Sequence, residues 1–346
     1  MPAPIPRGGA RFWLLLLLLL IVAAATLAGI AWRDYQRFAD APLAIEAPRS
    51  LDHLRGASYK EMVRQLRRQG LTRGSPFYWR LLAREMGVAS RLQAGEYALV
   101  PGMTPRDLLA AMASGRVVQH AFTIVDGWTF RQLRLALAGE GGLEQTLPGL
   151  DEATVAARLG IDGSPEGWFL PETYAWVKGE SDADVLRRAL AATRTTLDAA
   201  WPARDPAVPL ATPYEALILA SIIEKETGIA EERAEIAGVF ARRLKLGMRL
   251  QTDPTVVYGL GEAYDGNIRR RDLDADTPYN TYTRAGLPPT PIAMAGARAI
   301  EAALHPSGGN ALYFVAVGDG SGRHVFSATL AEHNRAVADY VRRSRQ

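Results

Sequence analysis

The segment Thr212–Gly228, TPYEALILASIIEKETG, predicts a helix that is apolar along nearly its whole length and ends at two glutamates. Thr212 is a suitable N-cap, Pro213 suits the first helical position, and Glu215 completes a capping-box pattern with Thr212. Gly228 predicts the end of the helix. The rest of the chain is therefore expected to be organised around this element.

The two glutamates of this helix are predicted to differ in environment. At about 100° per residue, Glu226 falls on the face that carries Leu219, Ile222 and Ile223, whereas Glu224 points roughly the opposite way. A carboxyl on an apolar face is desolvated, which raises its pKa toward the range where it donates a proton near neutral pH. Glu226 is therefore the candidate general acid. The alternative is that both carboxylates lie at a frayed helix end and face water.

The N-terminal segment Phe12–Trp32 has about 21 residues without a charge, enough to cross a hydrocarbon core of roughly 30 Å as one helix. Arginines flank it on both sides, with Arg7 before it and Arg33 after it. A cleaved signal peptide is the alternative, since Ala23–Ala25 resembles a cleavage site, but the apolar run is longer than a usual signal sequence needs. A short tail before a single span predicts that residues 33–346 lie outside the cytoplasm.

Composition excludes several classes of function. The net charge of +3 over 346 residues, with no basic stripe that carries interleaved aromatics, argues against nucleic acid as a partner. The chain has no cysteine, which removes disulfides and thiol catalysis. Its five histidines lack metal-ligand spacing, so neither a metal site nor a cofactor is predicted.

The pattern G-x-T-x-R-x-L occurs at residues 102–108 and recurs 25 residues later, at 127–133. A strand-like run precedes each copy, and Thr104 and Thr129 are suitable N-caps, so each copy predicts a strand, a tight turn and a capped helix. Such a module could bind polysaccharide, or it could be a spacer with a modest core of its own. Upstream, residues 33–50 are predicted to be a tether.

Later segments indicate a second, larger region. The aromatic loop Gly167–Tyr174 could stack on sugars or plug a junction between domains. The proline-rich segment Pro202–Pro213 predicts a domain boundary. Residues 248–291 have little regular periodicity and predict a long functional loop. The runs 311–317 and 324–328 flank a glycine-rich turn and predict a β-hairpin.

Glycoside cleavage is the chemistry that a buried carboxyl best suits here. The usual enzymes need two carboxyls, about 5–5.5 Å apart for retention or 6.5–9.5 Å for inversion. Glu226 with Asp253 or Glu224 could supply such a pair. Alternatively, the substrate's own hydroxyl attacks the anomeric carbon, and one residue serves as acid and then as base.

Six motifs in this chain together resemble the endolytic murein transglycosylase family, also called MltG or YceG-like proteins. The resemblance covers most of residues 50–343. It implies a membrane-anchored lytic transglycosylase that cuts nascent peptidoglycan between N-acetylmuramic acid and N-acetylglucosamine and leaves a 1,6-anhydro end. The motifs are EGWFLPETY (166–174), ASIIEKETG (220–228), RLKLGMRLQTDPTVVYG (243–259), YNTY (279–282), GLPPTPI (286–292) and the region around His324 and His333.

The resemblance also assigns residues. It identifies Glu226, the second glutamate of the EKET motif, as the catalytic residue, with the muramic acid C6 hydroxyl as the internal nucleophile. Many relatives read LFPDTY where this chain has FLPETY. Further cleft residues match family motifs, although scaffolding is the alternative for each: Gln251, Thr252, Asp253, Tyr279, Asn280 and Tyr282. His305, His324 and His333 are interpreted as structural hydrogen-bonding residues.

The predicted fold class is α+β: an N-terminal transmembrane helix, a small LysM-like strand/helix module and a mostly helical catalytic domain with a β-hairpin. The predicted partners are peptidoglycan glycan strands, with peptidoglycan synthases as a further candidate, and the predicted location is the inner membrane with the bulk of the chain in the periplasm. A two-carboxylate hydrolase and a non-catalytic glycan-binding scaffold remain as alternatives. The predicted boundaries are 1–11 for a cytoplasmic tail, 12–32 for the membrane helix, 33–50 for the tether, 51–120 for the LysM-like module, 121–205 for an intermediate region and 206–346 for the catalytic domain.

Overall fold

The computed structural model describes residues 8–53 and 58–344, with side chains from Phe12 onward. The predicted tail 1–11, with Arg7, falls largely outside this range. The chain divides into two compact units, Met1–Gln119 and His120–Gln346.

The first unit begins with α1 (Gly8–Asp40), which is long and apolar enough to cross a membrane. Nearly all side chains of residues 12–32 are exposed, so α1 fits a single-pass anchor. Within residues 33–50, the predicted tether, α1 continues to Asp40. Tyr35 and Ala39 on α1 are buried in the core of this unit.

The rest of the first unit is a small strand/helix module. Its elements are β1 (Arg49–His53), α2 (Tyr59–Arg68), α3 (Pro76–Glu85), β2 (Gly95–Leu99) and α4 (Pro105–Ser114). β1 and β2 pair antiparallel, with Arg49 opposite Leu99. Leu66, Trp79 and Tyr97 are fully buried and pack in one hydrophobic core, which joins both helices to the two-stranded sheet.

The second unit contains the remaining elements and two hydrophobic clusters, one built mainly from its first half and one around α8. The elements are β3 (His120–Thr123), α5 (Phe130–Ala138), α6 (Glu152–Leu159), β4 (Thr173–Trp176), α7 (Asp182–Ala200), α8 (Pro213–Glu226), α9 (Arg233–Lys245), α10 (Asp253–Leu260), α11 (Arg270–Asp274), α12 (Ala297–Leu304), β5 (Tyr313–Ala316), β6 (His324–Ser327) and α13 (Leu330–Arg343). β3 pairs antiparallel with β4. β5 pairs antiparallel with β6, and this pair confirms the predicted C-terminal hairpin.

The two copies of the G-x-T-x-R-x-L pattern form similar turns and helix caps, but they are not repeats of one module. Thr104 and Thr129 both cap helices in capping boxes, as predicted. Gly102 and Gly127 have φ of +87° and +76°, a backbone conformation that favours glycine. The two copies nevertheless lie in different units, and their strands pair with different partners.

Helix α8 is the buried centre of the second unit, as predicted. All residues from Ala216 to Ile223 are buried, and the helix packs with α9, α12 and the end of α7. The Thr212 hydroxyl accepts the Glu215 N–H, but the Glu215 carboxylate accepts the N–H of Ala211, so the predicted box is half formed. The helix ends at Glu226 because Thr227 is extended, and Gly228 is not its C-cap.

Two further segments differ from or refine their predictions. Residues 248–291 contain α10 and α11, so this stretch is not a continuous loop. In the aromatic loop, Trp168 stacks on Tyr214 with ring centroids 5.6 Å apart and packs against both hydrophobic clusters. Phe169 is fully buried and stacks on Phe130. This loop therefore joins the two clusters.

Candidate active site

Glu226 lies at the last residue of α8, on the wall of a cleft of about 460 Å³. The Thr252 hydroxyl donates a hydrogen bond to its Oε1. Burial raises the pKa of Glu226 to about 7, and the nearby charge of Asp253 acts in the same direction, while the Thr252 bond and His324 oppose it. Near neutral pH this carboxyl therefore populates both its acid and its base form.

Glu224 has a different environment from Glu226, which confirms the prediction from helical periodicity. Its side chain is only 6% exposed and forms an ion pair with Arg233 at 3.3 Å. Its Oε2 accepts the N–H of Gly296, the N-cap of α12, at 3.1 Å. Glu224 therefore joins α8, α9 and α12, and the alternative of two water-facing carboxylates at a frayed end is wrong.

Thr252 is held by a strained turn ahead of α10. Gln251 is the only non-glycine residue with positive φ in residues 8–53 and 58–344, at +53°. Its N–H donates to the carbonyl of Thr281 (3.1 Å), and the N–H of Thr252 donates to the hydroxyl of Thr281 (3.1 Å). Backbone strain of this kind persists where the surroundings fix it, and here the fixed hydroxyl is the one that contacts Glu226.

Asp253 and Tyr282 form a second pair in the same cleft. The Tyr282 hydroxyl donates to Oδ1 of Asp253 at 2.6 Å. Burial raises the pKa of Tyr282, and Asp253 and Glu226 raise it further, so this hydroxyl stays protonated. Asp253 itself is exposed. The pair therefore presents a carboxylate at the cleft surface with one oxygen already bonded.

Arg243 lines the cleft and holds the backbone of neighbouring lining residues in place. It is 7% exposed, donates to the carbonyls of Leu250 (2.8 Å) and Leu312 (2.6 Å), and stacks over Tyr313 at 5.1 Å. These bonds join Leu250, the residue before Gln251, to Leu312, the residue before β5. Other lining residues of the cleft include Val315, Leu330 and His333.

The structure brings together four of the six predicted cleft residues beside Glu226: Gln251, Thr252, Asp253 and Tyr282. Asn280 is 1% exposed, and its amide donates to the carbonyls of Leu273 and Ala275 at the end of α11. Asn280 therefore acts as scaffold. Tyr279 bonds Thr290 through its hydroxyl (2.9 Å) and lines a second cleft.

The second cleft, of about 760 Å³, shares Asp253 with the first. Sequence reasoning did not single out its buried carboxyl, Glu166, which is 3% exposed. Glu166 accepts the N–H of Phe130 (2.9 Å) and the hydroxyl of Tyr258 (3.1 Å), and burial raises its pKa to about 7. Both partners are distant in sequence, so no local pattern around Glu166 identifies it as buried.

His324 lies close enough to Glu226 for its charge to lower the pKa of that carboxyl. Its Nδ1 is 2.8 Å from Glu232, and both side chains are largely buried. This hydrogen bond agrees with the structural role predicted for His324. In the part of the chain that the structure describes, no group of three or more His, Asp or Glu side chains is placed to hold a metal ion.

Similar proteins share this chain's sequence over most of its length. The chain matches the YceG-like family over residues 54–339. It is 34% identical over 272 residues to a protein of Bacillus subtilis named endolytic murein transglycosylase, covering 73% of this chain and 74% of that protein. A protein of the same name from Streptococcus pneumoniae is 28% identical over 283 residues, covering 72% of this chain and 51% of that protein.

A solved structure is also similar. The crystal structure of a yceG-like protein from Listeria monocytogenes aligns with a TM-score of 0.50 and 29% identity, covering 84% of this chain and 99% of that chain. The sequence and structure comparisons therefore agree on one family.

Proposed function

We propose, because the chain belongs to the YceG-like family, that Glu226 is its single catalytic acid and base. The relatives are named endolytic murein transglycosylases, and the chain is accordingly a lytic transglycosylase, a lyase that acts on peptidoglycan. The observation that carries the proposal is the position of Glu226, a carboxyl with a pKa near 7 on the wall of a cleft.

The proposed reaction needs one carboxyl. Protonated Glu226 donates to the glycosidic oxygen between N-acetylmuramic acid and N-acetylglucosamine as that bond breaks. The resulting carboxylate then removes the proton from the C6 hydroxyl of the muramic acid, whose oxygen bonds to C1. The product carries a 1,6-anhydro end, no water is consumed, and Glu226 returns to its protonated form. A pKa near the working pH suits both steps because each form is populated.

Thr252 and Asp253 tune this group in opposite directions. A hydrogen bond from the Thr252 hydroxyl stabilises the carboxylate, whereas the negative charge of Asp253 favours the acid. Asp253 has a further role in the alternative mechanism, because it lines the same cleft and is the carboxylate that a two-carboxylate hydrolase would use. Glu224 is unsuited to that role, since Arg233 and Gly296 occupy its oxygens.

The module of the first unit supports a proposed LysM-like fold. Two helices lie between two strands in the order β1, α2, α3, β2, and the strands pair antiparallel. We propose that α1 anchors the chain in the inner membrane. This module and the second unit then both act on the periplasmic side of that membrane. The boundary at 205/206 and a role for peptidoglycan synthases as partners stay predictions.

The mass of the products tests the proposal. The enzyme is incubated with uncrosslinked glycan strands, and the fragment ends are analysed by mass spectrometry. Anhydro ends support the single-carboxyl mechanism, whereas reducing ends, heavier by one water, would support the hydrolase. Strand binding without any cleavage would support the non-catalytic scaffold instead.

A further inference from the structure

A large basic groove lies between α2 and α3 in the first unit, remote in sequence from the residues assigned to catalysis. Its volume is about 1300 Å³, and it contains no acidic residue among its described lining. The lining carries five cations, and the side chains of all five are exposed: Lys60, Arg64, Arg67, Arg68 and Arg80. We call this surface the basic groove; it is lined by Tyr59, Lys60, Arg64, Arg67 and Arg68 of α2 and by Phe77 and Arg80 of α3.

The basic groove is built on a helix that packs against the end of α1. The Tyr78 hydroxyl of α3 donates to Asp34 of α1 at 2.9 Å, and the rings of Trp79 and Phe38 are 5.4 Å apart. At 1.5 Å per residue, Asp34 and Phe38 lie about 3 and 9 Å along α1 from Trp32, the last residue of the uncharged span. The headgroup layer is about 5–7 Å thick on each side of the hydrocarbon core. When α1 spans a bilayer, α3 therefore begins at the height of the lipid headgroups.

Aromatic side chains at the same level fit a membrane interface. Phe77, at the start of α3, is 67% exposed beside the cations of the groove, and Trp32 is 58% exposed. Exposed rings next to lysines and arginines are typical of surfaces that lie at the boundary between headgroups and acyl chains. Tyr59 also lines the groove, and its hydroxyl has no hydrogen-bond partner among the described residues.

We propose that the basic groove binds the phosphate headgroups of anionic phospholipids in the leaflet from which α1 emerges. Arginine guanidinium groups bind phosphate oxygens in a bidentate manner, and the five cations match a surface of phosphodiesters. The phosphodiesters supply negative charge, which none of the described lining residues does. The inference rests on the membrane anchoring in the proposed function, and it adds a second, electrostatic contact between the first unit and the membrane.

The test uses the full-length chain in lipid nanodiscs and measures hydrogen exchange of α2 and α3. One set of discs contains only zwitterionic phosphatidylcholine, and in the other a fraction is replaced by phosphatidylglycerol. We expect exchange at the ends of α2 and α3 to slow by at least about threefold in the anionic discs, and high salt to remove the effect. A third arm adds inorganic phosphate to the zwitterionic discs and is expected to give no protection.

The matched variants change equal charge on different surfaces. The groove variant, in which Arg64 stays paired with Glu61, should lose the protection, whereas a control variant in the second unit should keep it. The groove variant carries Lys60→Gln, Arg67→Gln, Arg68→Gln and Arg80→Gln, and the control carries Arg187→Gln, Arg270→Gln, Arg335→Gln and Arg342→Gln.

Equal exchange in both kinds of disc, or full protection in the groove variant, would overturn the lipid proposal. Protection by inorganic phosphate alone would overturn it too and would indicate a site for soluble anions. Protein that elutes free of discs would overturn the anchoring premise together with this inference. Cleavage of soluble strands, measured on the same samples, reports on the catalytic proposal separately.

Discussion

The Thr252 hydroxyl donates its hydrogen bond to Oε1 of Glu226 across 26 residues of sequence. Thr252 is the N-cap of α10 and Glu226 is the last residue of α8, so the contact joins the ends of two helices at the wall of the cleft. Because a carboxylate accepts this bond, Thr252 lowers the pKa that burial raises. The balance between these two effects sets the protonation of Glu226.

Glu226→Gln should abolish cleavage while the protein stays folded, because an amide has nearly the shape of the carboxyl but donates no proton to the leaving oxygen. Loss of general acid catalysis alone costs about 10²- to 10⁴-fold in rate, and this residue also serves as the base. The measurement is release of anhydro-ended fragments from uncrosslinked strands. Release at near wild-type rate would overturn the assignment.

The matched control is Glu224→Gln, two residues earlier on the same helix. It leaves Arg233 without its ion-pair partner at a largely buried position, so the free energy of unfolding should fall by about 1–3 kcal/mol. Folded enzyme should still cleave strands. An equal loss of activity in both variants, at equal folded fraction, would contradict the separate roles of the two glutamates.

The stability of the protein should depend on pH through Glu226. Its pKa in the folded state lies above the ordinary value of 4.5, so the folded state binds more protons than the unfolded state between those two values. The free energy of unfolding therefore falls as pH rises from about 4.5 to 7 and levels off above that. Relative to Glu226→Gln, wild type should therefore lose about 3 kcal/mol of unfolding free energy between pH 4 and pH 8.

Denaturant unfolding of wild type and Glu226→Gln at several pH values checks this difference. Glu166, whose pKa is raised in the same direction, contributes equally to both proteins and cancels. A difference in unfolding free energy that stays constant from pH 4 to pH 8 would mean that Glu226 is not desolvated in solution.

Thr252→Val should raise the pKa of Glu226, because it removes the hydrogen bond that stabilises the carboxylate. The general acid must be protonated, so the alkaline limb of the kcat/KM profile should move to higher pH. Thr283→Val is the control, since Thr283 bonds Asp276 and the carbonyl of Asn280, away from the carboxyl. A shift to lower pH in Thr252→Val would contradict the role given to this bond.

Local patterns in the sequence predicted those parts of the fold that depend on local interactions. Thr129 and Thr104 were identified as caps because a hydroxyl that accepts the N–H three residues later is a short-range contact. The different faces of Glu224 and Glu226 followed from helical periodicity alone. Helix α10 was missed because it has only eight residues, and its β-branched Val256 and Val257 have low helix propensity.

Long-range contacts were beyond such patterns. Arg233 and the N–H of Gly296 complete the environment of Glu224, but they come from different helices. Glu166 belongs to a recognised motif, yet its burial depends on Phe130 and Tyr258, which are 36 and 92 residues away in sequence. A motif match identified Asn280 as a cleft residue, whereas its amide closes the end of α11, because matching a motif does not say which way a side chain points.

Asp253→Asn separates the two mechanisms and should shift the pH profile opposite to Thr252→Val. Asp253 raises the pKa of Glu226 through its charge, so removing that charge should move the alkaline limb of kcat/KM to lower pH. The asparagine oxygen can still accept the Tyr282 hydroxyl, which keeps the local geometry. If Glu226 acts alone, the variant still releases anhydro ends at neutral pH, with a rate reduced in proportion to the protonated fraction. If Asp253 is the second carboxyl of a hydrolase, cleavage is abolished at every pH, and the wild-type products carry reducing ends.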